Sequence, residues 1–198
     1  MKKYFIILFF MFSFVKIFAT DYSGTYSFSK GMNKARAYLY FFQINEQKAF
    51  FYISAISGNP DFLMTNMKGF VNIDSSQAVY KKDSCEIIFR LNKSLIEVSQ
   101  NNKCHEEFSL TEKYKKLNSP MKTNSGLMLE YSEKNGVIKM DSCEIYFAPS
   151  LESNIIKTAK QDMKIKILDE VNGFYLVDIL NKKNEFSWVQ KKNVILSK

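Results

Sequence analysis

Beyond residue 20 the chain is a succession of short apolar runs, many alternating apolar with polar positions, separated by clusters of Asn, Ser, Lys and Gly. Alternation with a period of two places successive side chains on opposite faces of a strand, and the intervening clusters are turn formers. The pattern predicts strands at 22–28, 37–44, 48–57, 67–74, 77–82, 85–91, 95–100 and 107–115. Asn45-Glu46-Gln47 and Asn92-Lys93-Ser94 are short turns between apolar runs, so successive strands form hairpins and the set reads as an up-and-down meander. Eight strands close into a barrel just wide enough to be filled by side chains or to hold one small ligand. In the aromatic block, Tyr38, Tyr40 and Phe42 point one way and Leu39 and Phe41 the other, with Phe50, Phe51 and Tyr52 on the adjacent strand. One set fills the barrel and the other needs shielding, which a second domain supplies.

Strand periodicity is missing at the start of residues 117–136, which contain Asn118-Ser119-Pro120 and Thr123-Asn124-Ser125-Gly126 and read as a linker. Short strands return at 137–147, 164–169, 175–180, 186–190 and 193–196, enough for a small barrel. The predicted fold is all-β: an eight-stranded antiparallel barrel over 20–116, the linker, and a small barrel over 137–198. Composition agrees, since 18 Phe and 11 Tyr favour strands, and 46% apolar with 24% charged residues is that of a chain with a packed core.

The N-terminus changes the picture of where the protein works. Lys2 and Lys3 precede an almost wholly apolar run over 4–15, and Ile17-Phe18-Ala19 ends it with a small residue, the layout of a secretory signal peptide. Lys16 interrupts the run before the roughly 20 residues that a spanning helix needs, so residues 1–19 are expected to be removed and no membrane span to remain. The expected location is secreted or periplasmic. Loss of Lys2, Lys3 and Lys16 lowers the formal charge from +8 to +5. A basic surface favours anionic partners such as envelope polymers. The lysines are scattered as pairs (Lys81-Lys82, Lys115-Lys116, Lys182-Lys183, Lys191-Lys192) with no base-reading stripe, so nucleic acid is not an expected partner.

An oxidising compartment gives the cysteines meaning. Cys85 and Cys104 bracket the hairpin that turns near Asn92, and antiparallel pairing brings them within reach of a disulfide, whereas a bridge to Cys143 would have to cross the linker. Cys143 is expected to stay reduced and buried. A reactive Cys104 activated by His105 is the competing reading, weakened because neighbours on a strand point to opposite sides. Glu106-Glu107 and Asp169-Glu170 are likewise turned apart, and with one His and no Gly-rich loop the chain offers no catalytic residues, metal site or cofactor site. No enzyme is expected.

Glu144-Ile145-Tyr146-Phe147-Ala148-Pro149-Ser150, Ile155-Ile156, Val171-Asn172-Gly173-Phe174-Tyr175-Leu176-Val177, Ser187-Trp188-Val189 and Val194-Ile195-Leu196 resemble, in order and spacing, a bacterial SH3-like (SH3b) domain. Tyr146 stands where an Arg is common, Ala148 replaces a Gly, and Phe174 replaces the first Trp. The resemblance implies a small barrel whose ligand-binding groove is lined by Tyr146, Phe174, Tyr175 and Trp188, although Trp188 fits a core position equally well. It also puts Cys143 at a buried strand position. Tyr22-Ser23-Gly24-Thr25-Tyr26, Gln77-Ala78-Val79-Tyr80 before Cys85, and Cys104 ahead of Tyr114-Lys115-Lys116 resemble small secreted bacterial β-barrels of the lysozyme-inhibitor kind. Such inhibition implies an inserted loop, for which Gly58-Asn59-Pro60-Asp61 is the candidate, but a +5 protein is repelled by a basic enzyme. Residues 78–89 and 136–147 agree at eight of twelve positions, yet they diverge immediately beyond and are read as chance similarity.

The function expected from these readings is non-enzymatic binding, with the SH3-like domain attaching to cell-envelope material, either peptidoglycan or an envelope protein. The alternatives are a barrel that carries a small apolar ligand and an inhibitor of a cell-wall hydrolase.

Overall fold

Eight strands, each antiparallel to the next, occupy the first part of the chain: β1 (Gly24–Ser29), β2 (Lys34–Asn45), β3 (Lys48–Gly58), β4 (Met64–Asp74), β5 (Gln77–Lys82), β6 (Cys85–Leu91), β7 (Leu95–Gln100) and β8 (Glu112–Lys116). The computed structural model describes residues 20–101, 103–104, 109–118, 134–179 and 187–197. The expected leader over 1–19, the pair Glu106-Glu107 with His105, most of the expected linker, and Leu180 and Phe186 lie outside them. The sheet closes where β1 meets β8, with Tyr26 opposite Lys116 and Ser27 opposite Lys115.

Local chemistry makes the hairpins. The Asn45 Oδ1 accepts the Gln47 N–H at 3.0 Å and the Asn92 Oδ1 accepts the Ser94 N–H at 3.2 Å, so each Asn side chain closes its own turn. Ser75 (φ 57°) and Asp83 (φ 54°) supply the left-handed residues of two further turns. β5, β6 and β7 span the predicted residues; β8 starts at Glu112, later than expected. Cys85 and Cys104 are bridged, their Cα atoms 4.3 Å apart. Asn101 holds the chain in place for this, accepting from Glu86 N at 3.2 Å and donating to Ser84 O at 2.9 Å.

Inward-facing Leu39, Phe41, Phe51, Ile53, Ile87, Phe89 and Ile96 are fully buried and fill the barrel together with Tyr26 and Tyr114. Each such side chain contributes roughly 1.5–3 kcal/mol by leaving water. The two phenols keep partners, Tyr26 donating to Tyr22 O at 2.6 Å and Tyr114 to Leu110 O at 3.2 Å. Burial, helped by Asp21, pushes the Tyr26 pKa up to about 12, and burial raises that of Tyr114 further.

A second sheet follows: β9 (Lys134–Ile138), β10 (Cys143–Tyr146), β11 (Ile155–Ala159), β12 (Lys164–Val171), β13 (Phe174–Ile179), β14 (Ser187–Gln190) and, after a one-turn 3-10 helix (Lys191–Asn193), β15 (Val194–Leu196). Its spatial order is β11-β10-β14-β13-β12-β9-β15. Asn172 (φ 47°) and Gly173 (φ 77°) form the two-residue turn between β12 and β13, with Val171 opposite Phe174. The predicted single strand at 137–147 is two strands: Ser142 (φ 53°) breaks it, β9 pairs with β12 and β15, and β10 pairs with β11 and β14. β9 begins at Lys134, inside the segment predicted as linker, and β11 was not predicted as a strand.

The two similar segments fold differently. Residues 78–89 form a hairpin in which Lys82 faces Cys85, whereas the strands of 136–147 part to different neighbours. The left-handed residue is Asp83 in the first and Ser142, not Asp141, in the second. Cys143 is a buried free thiol, and burial raises its pKa.

Candidate ligand-binding cleft between the two sheets

Through their middle, the outward faces of β2 and β3 are covered. Tyr40, Phe42, Ile44, Phe50 and Tyr52 pack against Tyr146, Ala148, Leu168, Phe174, Leu176 and Trp188 of the second sheet in one buried cluster. Phe50 meets Trp188 edge-to-face at 5.3 Å between centroids, and Phe42 meets Phe147 at 5.1 Å. Lys68 of β4 pairs with Asp169 of β12 across the same junction.

This docking decides the fate of the four rings expected to line a groove. Tyr146 (3% exposed), Phe174 (7%), Tyr175 (5%) and Trp188 (1%) are all buried. Tyr146, Phe174 and Trp188 lie in the cluster against the barrel, Tyr146 and Phe174 edge-to-face at 5.5 Å, while Tyr175 belongs to the second sheet's own core. The Tyr146 hydroxyl donates to a Glu144 carboxylate oxygen and accepts from Gln190 Nε2 at 3.1 Å; burial first, and that carboxylate second, raise its pKa. The Trp188 indole N–H is buried with no acceptor among the described residues.

An open cleft lies beside this cluster. A cleft of about 440 Å³ is lined by Asp21, Ser23, Gln43, Asn45, Phe147, Asn154 and Ile156. The residues ahead of β1 and the end of β2 supply one wall, and the β10–β11 connection with the start of β11 supplies the other. Backbone groups set the polar side chains. The Gln43 Oε1 accepts from Tyr22 N at 3.0 Å, the Ser23 Oγ accepts from Gln43 N at 2.9 Å, and the Asp21 Oδ1 accepts from Ser23 N at 2.8 Å. Asn45 donates from Nδ2 to Glu152 Oε2 at 3.3 Å, tying the walls together. Phe147 N donates to Asn154 O at 3.0 Å, which fixes the second wall.

Three amides, a hydroxyl and one carboxylate that donate and accept hydrogen bonds, with the Phe147 ring and the Ile156 side chain as apolar wall, form the lining. Among the described residues no group of three or more His, Cys, Asp or Glu is placed to hold a metal ion. None of these seven residues was singled out from the sequence as part of a site, since each polar one reads as ordinary surface and only docking brings them together. Compared with family models, with curated proteins and with solved structures, the chain matches none.

Proposed function

We propose that this is a secreted or periplasmic, non-enzymatic binding protein that attaches to cell-envelope material, with peptidoglycan the first candidate and an envelope protein the second. The observation that carries the reading is the cleft, an open site of hydrogen-bonding side chains beside a fixed aromatic ring, built jointly by both sheets. The compartment is supported by the Cys85–Cys104 bridge and by the leader-like N-terminus. No helix among the described residues is long and apolar enough to cross a membrane. The SH3-like reading is supported by the strands that carry its motif residues, β10, β11, β12–β13, β14 and β15, all in one antiparallel sheet. Incubation of the chain lacking residues 1–19 with purified sacculi tests the proposal. Co-sedimentation at low salt is the expected result, and a protein left wholly in the supernatant overturns it.

A second reading, inhibition of a cell-wall hydrolase, is favoured by one loop. Phe62 is 45% exposed and held at φ 46°, unusual for a bulky residue, directly after Gly58-Asn59-Pro60-Asp61. Lysis of a cell suspension by lysozyme, followed by turbidity with excess protein, tests it; undiminished lysis ends it. The carrier reading has no such observation, because side chains occupy the barrel interior.

A further inference from the structure

We infer that the cleft between the sheets takes an uncharged, polyhydroxylated ligand, the saccharide portion of an envelope polymer, and not its charged groups. This rests on the proposed function and adds the ligand's chemical class. In a chain of formal charge +8, none of the side chains lining the cleft is cationic, and the single charged one is the carboxylate of Asp21. An anionic group therefore meets no counter-charge there. Primary amides carry donor and acceptor on one planar group, which matches the mixed donor and acceptor character of sugar hydroxyls and acetamido groups.

The polar groups on the barrel side of the cleft are also set in advance. With Gln43 Oε1 engaged by Tyr22 N, the Gln43 Nε2 is left with no protein partner among the described residues, and the Asn154 side chain likewise has none. These two groups are the ones that reach a ligand. Asn45 is engaged on both branches, accepting from Gln47 N and donating to Glu152, and acts as a positioning residue. Phe147, fixed edge-to-face on Phe42, supplies an apolar wall for the C–H face of a pyranose. The volume, about 440 Å³, lies in the range of roughly 300–1,000 Å³ for small-molecule sites and suits one or two sugar rings.

The test is calorimetric titration of the chain lacking residues 1–19 with a neutral N-acetylglucosamine tetramer, alongside an acidic peptide and at low and high salt. Saturable binding to the tetramer, insensitive to salt, is expected, with Gln43→Ala and Asn154→Ala each weakening it about tenfold; the melting temperature stays unchanged in Asn154→Ala and falls by a few degrees in Gln43→Ala, which also loses the bond from Tyr22 N. Both positions line an open cleft, so the variants should fold. Absence of saturable binding, equal affinity in both variants, or affinity that collapses with salt overturns the inference. Sacculi that still pull down a protein blind to the tetramer would leave the envelope reading standing and remove the saccharide site alone. Failure to sediment with sacculi would instead remove the envelope reading, whatever the tetramer does.

Discussion

In the barrel every strand pairs with its neighbour in sequence, and a disulfide links β6 to the segment after β7; in the second sheet β9 reaches β12 and β15, and β10 reaches β14, across intervening strands. The cores differ in the same direction. Among the described residues nineteen buried hydrophobic side chains fill the barrel, nine form the second sheet's own core, and eleven lie between the two. The second sheet therefore shares in an interface cluster larger than its own core. Local hairpins close cheaply in chain entropy, whereas non-neighbour pairing must recover a larger loop-closure loss, and here the barrel's outer wall supplies the surface that does so.

Adjacent residues allow that asymmetry to be tested. Phe50 faces the second sheet and Phe51 faces the barrel interior, both fully buried. Truncation of either to Ala should remove about 3–5 kcal/mol, but from different places. Phe50→Ala is expected to let the second sheet melt first, seen in urea titrations as an early change in Trp188 fluorescence and early labelling of the buried Cys143 thiol. Phe51→Ala should lower the barrel transition instead. One common transition in both variants would show that the sheets unfold as a unit and break the comparison.

Replacing Cys85 and Cys104 together by Ser should cost roughly 3 kcal/mol for a bridge spanning 19 positions, confined to the barrel. Circular dichroism melts with and without reductant on the wild type check this. Alkaline pH should act next. The Tyr26 phenol is neutral in both states below its ordinary value of 10.0, but between pH 10 and about 12 the unfolded chain ionises first, so stability falls as pH rises through that window. Tyr26 contributes on the order of 2 kcal/mol to the loss, and Tyr114 adds in the same direction. Tyr26→Phe should flatten the pH dependence of the urea midpoint. The smallest effect belongs to Lys68→Ala at the junction, under about 1 kcal/mol and vanishing at high salt, because both partners of the pair with Asp169 are partly exposed.

The barrel was largely legible because its information is local. Turn residues such as Asn45 and Asn92 sit between apolar runs, and pairing follows sequence order, so the reach of Cys85 to Cys104 could be worked out from one hairpin. The second sheet was less so. Ile155 and Ile156 on the edge strand β11 are both exposed and show no alternation, and nothing near Asp141-Ser142 reveals that β9 and β10 leave for different neighbours. Tyr146, Phe174 and Trp188 were recognisable as flat rings on strands, but a ring that stacks on a ligand and one that stacks on a neighbouring sheet look alike in sequence. The cleft was not legible at all, since Asp21, Gln43 and Asn154 come together only where the two sheets meet.

The two-sided burial of β2 and β3 also bears on how the chain avoids misalignment. A strand with one polar face is protected against slipping by one residue, since a slip would drive polar groups into the core. Through the middle of these strands a slip would exchange Phe51 for Phe50 or Phe41 for Phe42, one apolar ring for another, and only the exposed Arg36 near the start of β2 opposes it by polarity. Shape adds to fidelity there. At Gly58 (φ 93°) a Cβ would lie 2.6 Å from the Lys34 carbonyl carbon, and at Gly69, which faces Phe51, it would lie 2.4 Å from the Tyr80 ring. Tyr80 occupies that gap and meets Phe51 edge-to-face at 5.1 Å. The two missing side chains thus act as the notches of a key, one at each junction: Gly58 admits the Lys34 backbone and opposes a slip of β2 against β3, and Gly69 admits the Tyr80 ring and opposes a slip of β4 against β5.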